Sequence, residues 1–178
     1  ESYSKLLAIT EAYPNDFDAR VRILTIALES FFVARVDLRD QIKLHTQKAI
    51  EIDPDHIKSQ EFGHIVTMMD ASNAGKKDAI RASAEKAEEW LIKYPKAKFL
   101  RRALTITLFE LEETERALEH TIVLLEGDPK SLDYNITYLT LLQEEGRVED
   151  VGKQLVNMQD LFPENLAIVG ALVDWYLS

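Results

Sequence analysis

Apolar residues recur every three or four positions through most of the chain, and polar residues fill the positions between them. This spacing places apolar side chains on one face of a helix, as Phe17, Val21, Leu24 and Leu28 illustrate. The 178 residues include only 6 glycines and 5 prolines, which favours long helices over many short strands joined by tight turns. The pattern therefore predicts an all-α protein.

The prolines divide this helical pattern into segments of similar length. Pro95, Pro129 and Pro163 follow one another at intervals of 34 residues. That is the length of a repeat built from a helix, a turn and a second helix. The two earlier intervals, from Pro14 to Pro54 and from Pro54 to Pro95, are longer, at 40 and 41 residues.

The two longer intervals admit two interpretations. We favour an extra helical turn of about 3.6 residues in each helix of a pair, which keeps the apolar faces in phase. The alternative is a longer loop at 35–40 or 72–77.

These boundaries predict a single repeat array of about ten helices, an α-solenoid. Four complete repeats lie between two partial ones, at 1–13, 15–54, 55–95, 96–129, 130–163 and 164–178. Because the chain starts at Glu1 rather than methionine and the pattern starts and stops within a repeat, we expect a fragment of a longer protein.

Residues that cap helices or turn the backbone refine the helix boundaries. They are Asn15 or Asp16, Asp55 and Thr114 as N-caps, Ser72 to Gly75 as a turn, and Gly146 just past a helix end.

The charge and the lack of cysteine exclude several kinds of function. The formal net charge is −10, whereas nucleic-acid binding needs an excess of lysine and arginine, so no nucleic-acid partner is expected. Without cysteine there are no disulfides, thiolate zinc sites or cysteine nucleophiles. No apolar run approaches the ~18 residues of a membrane span, so none is expected in this fragment.

The sequence carries no recognisable catalytic or cofactor motif. The histidines at 45, 56, 64 and 120 lack the spacing of a metal site. The glutamates within 110–119 surround a predicted turn between helices and are interpreted as a solvated face. A glycine-rich phosphate loop and a nucleophile motif are both missing. We therefore expect no enzyme activity, no metal and no cofactor.

One basic run stands out in this acidic chain. It contains Lys93, Lys96, Lys98, Arg101 and Arg102. Two interpretations stay open: a solvated junction between repeats, or a patch on the first helix of the third repeat that contacts anions or carboxylates.

Residues 98–178 resemble the tetratricopeptide repeat (TPR) family. The family pattern has a large residue, Leu-Gly and Tyr on the first helix of a repeat, and Ala, Phe and Pro on the second. The corresponding positions are Arg101, Leu104, Thr105, Leu108, Ala117, Thr121 and Pro129 in the third repeat, and Asn135, Tyr138, Leu139, Leu142, Val151, Leu155 and Pro163 in the fourth. The large position (Arg101, Asn135) and the small position (Thr105, Leu139) depart from the pattern. The resemblance implies a right-handed α-solenoid of antiparallel helix pairs, a TPR-like superhelix.

The resemblance also implies where a partner binds, because first helices line the concave groove of such an array. The implied groove positions are Phe99, Arg102, Ile106 and Phe109 in the third repeat and Asp133, Ile136, Thr140 and Gln143 in the fourth. Some family members hold a peptide C-terminal carboxylate with a fixed set of Lys, Asn and Arg. Here Arg102 is the one cation at such positions, so that clamp is not expected. The partly apolar groove suits a peptide segment or a neighbouring domain.

Two functional hypotheses follow. The first is a protein–protein interaction scaffold that binds through this groove. The second is a structural spacer or oligomerising segment within a larger multidomain protein, such as a bacterial envelope or secretion assembly or a regulated enzyme. It rests on apolar end residues that we expect to lack covering helices and to favour end-to-end self-association: Leu6, Leu7, Leu172, Trp175 and Leu177.

Overall fold

The computed structural model describes residues 3–33 and 38–177, which form ten α-helices and no strand. The helices are α1 Tyr3–Ala12, α2 Phe17–Val33, α3 Arg39–Ile52, α4 Ile57–Ala74, α5 Lys77–Lys93, α6 Lys98–Glu110, α7 Thr114–Gly127, α8 Leu132–Glu144, α9 Val148–Leu161 and α10 Leu166–Leu177. The predicted all-α class with about ten helices is confirmed. None of the described helices combines the length and the apolar character needed to cross a bilayer.

The chain divides into two compact parts, an N-terminal part of residues 1–103 and a C-terminal part of residues 104–178. In the N-terminal part each of α1 to α5 packs against the next of these helices, and in the C-terminal part α7 to α10 do the same. In the N-terminal part, Leu24 and Leu28 of α2 are buried with Ile42 of α3 and Phe62 of α4. The buried apolar side chains of the C-terminal part include Leu108, Leu118, Leu142, Leu155 and Met158.

The extra length of the interval from Pro54 to Pro95 lies in its helices. α4 has 18 residues and α5 has 17, whereas α6 and α8 have 13 each. The predicted turn from Ser72 to Gly75 is wrong, because α4 continues to Ala74 and the backbone first turns at Gly75. In the preceding repeat α2 has 17 residues but α3 only 14, and the alternative loop at 35–40 falls partly outside the described residues.

First helices α4, α6 and α8 end in the same Schellman motif, in which a left-handed residue lets the next N–H reach the carbonyl five residues back. The left-handed residues are Gly75 (φ 63°), Glu112 (φ 63°) and Gly146 (φ 66°). The hydrogen bonds are Lys76 N–H to Ala71 at 3.0 Å, Glu113 N–H to Leu108 at 2.9 Å and Arg147 N–H to Leu142 at 3.0 Å. The predicted helix end at Gly146 is confirmed.

The predicted N-caps have different outcomes. Asp16 caps α2 as predicted, since its Oδ1 accepts a hydrogen bond from the Ala19 N–H at 2.9 Å. Asp55 does not occupy the cap position of α4, where the His56 ring nitrogen accepts from the Lys58 N–H instead. The cap at Thr114 is wrong as well, because Thr114 is already the first residue of α7.

Glu112 is the one non-glycine among the described residues with a positive φ. A side chain in this conformation crowds the following carbonyl and costs about 1 kcal/mol or more relative to glycine. We expect Glu112→Gly to raise the free energy of unfolding by about 1 kcal/mol in urea titrations followed by circular dichroism. Gly146→Ala is the reciprocal control and should lower it by a similar amount, because a Cβ there meets no atom within 4 Å and changes only the backbone preference.

The proline that closes a repeat is tethered to the first helix of the next repeat. Six residues after Pro14, Pro54, Pro95 and Pro129 stand Arg20, Gln60, Arg101 and Asn135, whose side chains donate to the proline carbonyls at 2.7, 2.6, 3.1 and 2.9 Å. We call this hydrogen bond the proline tether. It gives a physical reason for the departure at the large position of the repeat, where a hydrogen-bond donor fixes the turn in place of a packed ring. The residue six positions after Pro163 is Val169, which has no side-chain donor.

Candidate partner-binding surface

The implied groove residues of the C-terminal part are exposed to solvent. Ile106 and Phe109 of α6 are 50% and 39% exposed, and Ile136 of α8 is 48% exposed. Asp133 and Thr140 of α8 are exposed too. We call these five residues the first-helix surface. The three apolar side chains keep contact with water, so their burial against a partner would be favourable.

Two threonine hydroxyls of α8 are engaged by its own backbone. The Thr140 hydroxyl donates to the Ile136 carbonyl at 3.0 Å, and the Thr137 hydroxyl donates to the backbone carbonyl of Asp133 at 2.9 Å. These bonds hold the hydroxyls along the helix, so Ile136 is the principal apolar contact group that α8 offers.

Phe99 lies in the N-terminal part and is partly covered by α4. Its ring meets the edge of Phe62 at a centroid distance of 6.4 Å, and the Lys58 ammonium lies 5.5 Å from its centroid. Lys58 in turn pairs with the buried Glu61 at 2.6 Å. Sequence reasoning missed Lys58 and Glu61, although their spacing of three residues on α4 is a signal for such a pair. Arg102 is exposed.

The basic run has partly structural roles. Arg101 forms a proline tether, and burial lowers the pKa of its guanidinium below the ordinary value. The Lys93 ammonium lies 4.9 Å from the centroid of Trp90 and 5.2 Å from that of Tyr94, and these two rings stack on each other. These contacts favour the interpretation of a repeat junction for Lys93 and Arg101.

Comparison of structures finds proteins with a similar fold, whereas comparison of sequences finds none. No family model and no curated protein matches the sequence. TTC0263, a thermophilic TPR protein of Thermus thermophilus, matches with a TM-score of 0.72 and 11% identity, over 99% of this chain and 89% of that chain. YrrB, described as a TPR protein with an unusual peptide-binding site, matches with a TM-score of 0.65 and 15% identity, over 99% and 83%. A tetratricopeptide repeat protein from Parabacteroides merdae ATCC 43184 matches with a TM-score of 0.63 and 13% identity, over 98% and 64%.

The fold is that of tetratricopeptide repeat proteins. The positions implied by the TPR resemblance are placed accordingly in α6 and α7, where Leu104, Thr105, Leu108, Ala117 and Thr121 are all buried. Burial at these positions explains how a divergent sequence keeps the fold, because the positions require compact side chains that pack rather than particular residues. Thr121 can replace an apolar residue there, since its hydroxyl donates a hydrogen bond to the Ala117 carbonyl at 2.8 Å.

The expectation that the terminal apolar residues lack cover is partly wrong for this TPR fold. Leu6 and Leu172 are buried, because each lies on the inner face of its helix, against α2 and α9 respectively. Leu7 and Trp175 are half-buried, and Leu177 is 82% exposed.

The N-terminal part also contains a concavity that sequence reasoning missed. It lies between α3 and α5 with α4 as its floor, and its volume is about 570 Å³. Ile50 of α3, Gly63 and Thr67 of α4 and Trp90 of α5 line it. We call it the α4 groove. Because four helices, α3 to α6, contribute to it, no local sequence signal predicts it.

Two buried histidines join the helices of the N-terminal part. His64 of α4 lies 2.8 Å from the Ser83 hydroxyl of α5, and burial lowers its pKa to about 4 although hydrogen bonds to Ser83 and Ala103 oppose the shift. His45 Nδ1 lies 3.1 Å from the Arg20 guanidinium, which can only donate, so His45 is neutral with its proton on Nε2. Burial, and then the charge of Arg20, lower the pKa of His45. Within 3–33 and 38–177, no group of three histidine, aspartate or glutamate side chains could hold a metal ion.

The low pKa of His64 predicts acid sensitivity. Below the ordinary histidine pKa of 6.5 the unfolded chain takes up the proton before the folded chain does, so the free energy of unfolding falls as the pH falls toward 4. The expected loss between pH 7 and 5 is about 2 kcal/mol. Urea titrations at these pH values should show a smaller fall in the free energy of unfolding for His64→Gln than for the wild type. Ser83→Ala, which keeps the buried imidazole, should show the same fall as the wild type. If the free energy of unfolding of His64→Gln fell with pH as steeply as that of the wild type, His64 would be excluded as the source of the acid sensitivity.

Proposed function

We propose that the chain is a non-enzymatic protein–protein interaction scaffold that binds a peptide segment or a neighbouring domain through its first helices. The observation that supports this most is the exposure of Ile106, Phe109 and Ile136 on α6 and α8. The outward face of a helix in a soluble protein is usually polar, so apolar side chains at these positions favour contact with a partner.

The exposed positions on each helix also fit recognition of a peptide. Ile106 and Phe109 are three residues apart on α6, and Ile136 and Thr140 are four apart on α8, so each pair shares a helix face. An extended or helical peptide is commonly held by such pairs of apolar anchors with polar groups beside them. Asp133 supplies a negative charge at the start of α8, which favours a basic residue in the partner.

The test uses peptides selected from a random phage-displayed library against the 178-residue protein. The Kd of a selected peptide is measured by calorimetry for the wild type, Ile106→Ser and Ile136→Ser. We expect each substitution to weaken binding about tenfold or more, since an apolar anchor at an interface contributes at least about 1.4 kcal/mol.

The matched controls are Ile122→Ser on α7 and Val156→Ser on α9, whose side chains are 42% and 39% exposed. They remove similar apolar groups from second helices and should leave the Kd unchanged. The proposal would be overturned by peptides whose Kd rises for the second-helix variants and stays unchanged for the first-helix variants. A library that yields no binding peptide would count against it as well.

A second candidate, an oligomerising segment, is supported by α10. This helix has 12 residues and one charged side chain, Asp174. Leu166, Tyr176 and Leu177 are 83%, 66% and 82% exposed. An apolar helix with so much surface in water favours association. Light scattering across concentration should then show self-association that Leu177→Ser reduces; a strict monomer at high concentration would exclude it.

A further inference from the structure

We propose that Arg20 and His45 form a pH-sensitive latch, in which protonation of His45 releases the Pro14 turn and lets α1 detach from α2. The latch lies in the N-terminal part of the chain, where α2 and α3 pack against each other. It is a regulatory feature of the fold, is independent of the first-helix surface and goes beyond the proposed function.

The Arg20 guanidinium connects three segments of the chain. Its Nε and Nη2 atoms donate to the Pro14 carbonyl at 3.0 and 2.7 Å, which holds the turn between α1 and α2. Its third nitrogen, Nη1, lies 3.1 Å from His45 Nδ1 of α3. Both side chains are buried. The guanidinium is therefore held between two acceptors, the Pro14 carbonyl and the His45 ring.

The contact between Arg20 and His45 requires a neutral imidazole. A guanidinium has only N–H donors and stays charged below a pH of about 12. His45 Nδ1 therefore accepts the hydrogen bond through its lone pair. A second proton on the ring would have to bind at Nδ1, where it would meet an N–H group of Arg20 instead of an acceptor. Protonation thus replaces the hydrogen bond by a contact between two buried cations.

The other ring nitrogen of His45 does not stabilise a cation either. Its Nε2 atom is buried and has no hydrogen-bond partner among the described residues. The hydroxyl of Tyr3 on α1 is buried without a partner as well, so it does not accept from His45. A charged group that is buried without partners costs much more free energy than a neutral one. The closed latch therefore excludes the proton.

The charged groups on the neighbouring helices do not compensate. α3 packs against α2 and α4. From α2 the group that acts on His45 is Arg20, and burial, and then this like charge, lower the pKa of His45. The buried titratable side chains of α4 are Glu61, which is already paired with Lys58 at 2.6 Å, and His64, which burial keeps neutral.

The structure offers Arg20 another position. A cavity of about 380 Å³ lies beside it, with Pro14, Lys48 and Glu51 in its lining. Burial lowers the pKa of Arg20, and the charge of Glu51 opposes this shift because the two side chains attract each other. Repulsion from a protonated His45 would therefore move the guanidinium toward Glu51 and away from the Pro14 carbonyl.

α1 depends on this turn for its position. It has 10 residues, and an isolated helix of this length is marginal in water. Its buried side chains are Leu6 and Thr10, and Tyr3 packs against the apolar cluster around Leu24 of α2. Loss of the Arg20 bonds would let α1 separate and would uncover part of that cluster. The latch thus couples acidification to the exposure of an apolar surface on α2.

Other proline tethers in the chain show that the turn itself needs no charge. Gln60 and Asn135 donate to the carbonyls of Pro54 and Pro129 at 2.6 and 2.9 Å through neutral amides. A glutamine therefore suffices to hold such a turn. Arg20→Gln should keep the tether and remove the buried cation that makes the contact with His45 sensitive to pH.

The test is amide hydrogen exchange of the ¹⁵N-labelled protein, followed by NMR at pH 7.5 and 5.5. The protection factors of the α1 amides, corrected for the intrinsic exchange rate at each pH, report the opening of this helix. Below the ordinary histidine pKa of 6.5 the opened state binds the proton that the closed state excludes. We expect the protection factors at residues 7–12 to fall about five- to tenfold.

Variants separate the latch from general acid sensitivity. His45→Gln supplies a neutral acceptor for Arg20, so this variant and Arg20→Gln should both remove the fall in α1 protection. His64→Gln is the matched control, because it removes the other buried imidazole of the N-terminal part and should leave the fall in α1 protection unchanged. Imidazole ¹⁵N shifts should place the His45 proton on Nε2 at pH 7.5.

Three results would contradict the latch. The first is a wild-type α1 that keeps its full protection at pH 5.5. The second is a His45 ring that carries its proton on Nδ1 at pH 7.5. The third is a fall in α1 protection that is as large in His45→Gln as in the wild type. The first two need no variant, so they test the latch even if a substitution prevents folding.

Discussion

Asn135→Ala is expected to lower the free energy of unfolding by about 3 kcal/mol. Asn135 is 1% exposed and donates to the carbonyls of Pro129 and Ser131 at 2.9 and 2.8 Å, and it accepts from the Gln154 amide at 2.8 Å. The substitution removes three hydrogen bonds, each with a net contribution of about 1 kcal/mol. It also leaves the Gln154 amide, which is 8% exposed, without an acceptor.

Urea unfolding followed by circular dichroism measures this loss. Asn157→Ala is the matched control on α9, where the side chain is exposed and alanine improves helix propensity, so stability should be unchanged or slightly higher. Gln154→Ala should cost less than Asn135→Ala, because Asn135 keeps its two bonds to carbonyl groups. Equal stability of Asn135→Ala and the wild type would contradict a structural role for this proline tether.

Gly152→Ala is expected to destabilise the C-terminal part by about 3 kcal/mol. The new Cβ would lie 2.2, 2.5 and 2.6 Å from three atoms of the Trp175 ring, so the indole and α10 must shift. Overpacking of a buried site costs about 1–3 kcal/mol or more, and a contact this short belongs at the upper end. Displacement of α10 would also expose Ile168 and Leu172, which are buried now.

The control for this prediction has the opposite sign. Gly170→Ala places a Cβ where no atom lies within 4 Å, so it should raise stability by up to about 1 kcal/mol through helix propensity. Trp175→Ala should rescue part of the Gly152→Ala loss in a double-mutant cycle. If Gly152→Ala were stabilising like Gly170→Ala, the indole would not rest on the α9 backbone in solution.

The helices could be predicted closely where residues with special backbone behaviour mark their ends. The pattern between Pro95 and Pro163 predicts helices at about 98–111, 114–127, 132–145 and 148–161, and the ends of α6–α9 agree with these bounds to within one residue. The prolines close each repeat, and Gly146 supplies the left-handed turn. The error at Ser72 has a physical cause: polar residues tolerate both a turn and a helix end, so the glycine that follows them decides where α4 stops.

The proline tether could have been found from the sequence, and the α4 groove could not. A donor side chain six residues after four of the five prolines is a local pattern, visible at Arg20, Gln60, Arg101 and Asn135. The groove instead depends on how α3 and α5 pack on α4, which brings residues as distant as Lys43 and Trp90 to one cavity. Nor could the pair of Lys58 and Glu61 beside Phe99 be assigned to the site without the helix packing.

The proposed scaffold function rests on apolar contacts made by the first helices. The most direct test is to measure intermolecular NOEs between a library-selected peptide and the isoleucine δ-methyl groups of the protein. The proposal predicts NOEs from the peptide to Ile106 and Ile136, and none to Ile122 of α7. NOEs confined to Ile122 and the other second-helix side chains would contradict it.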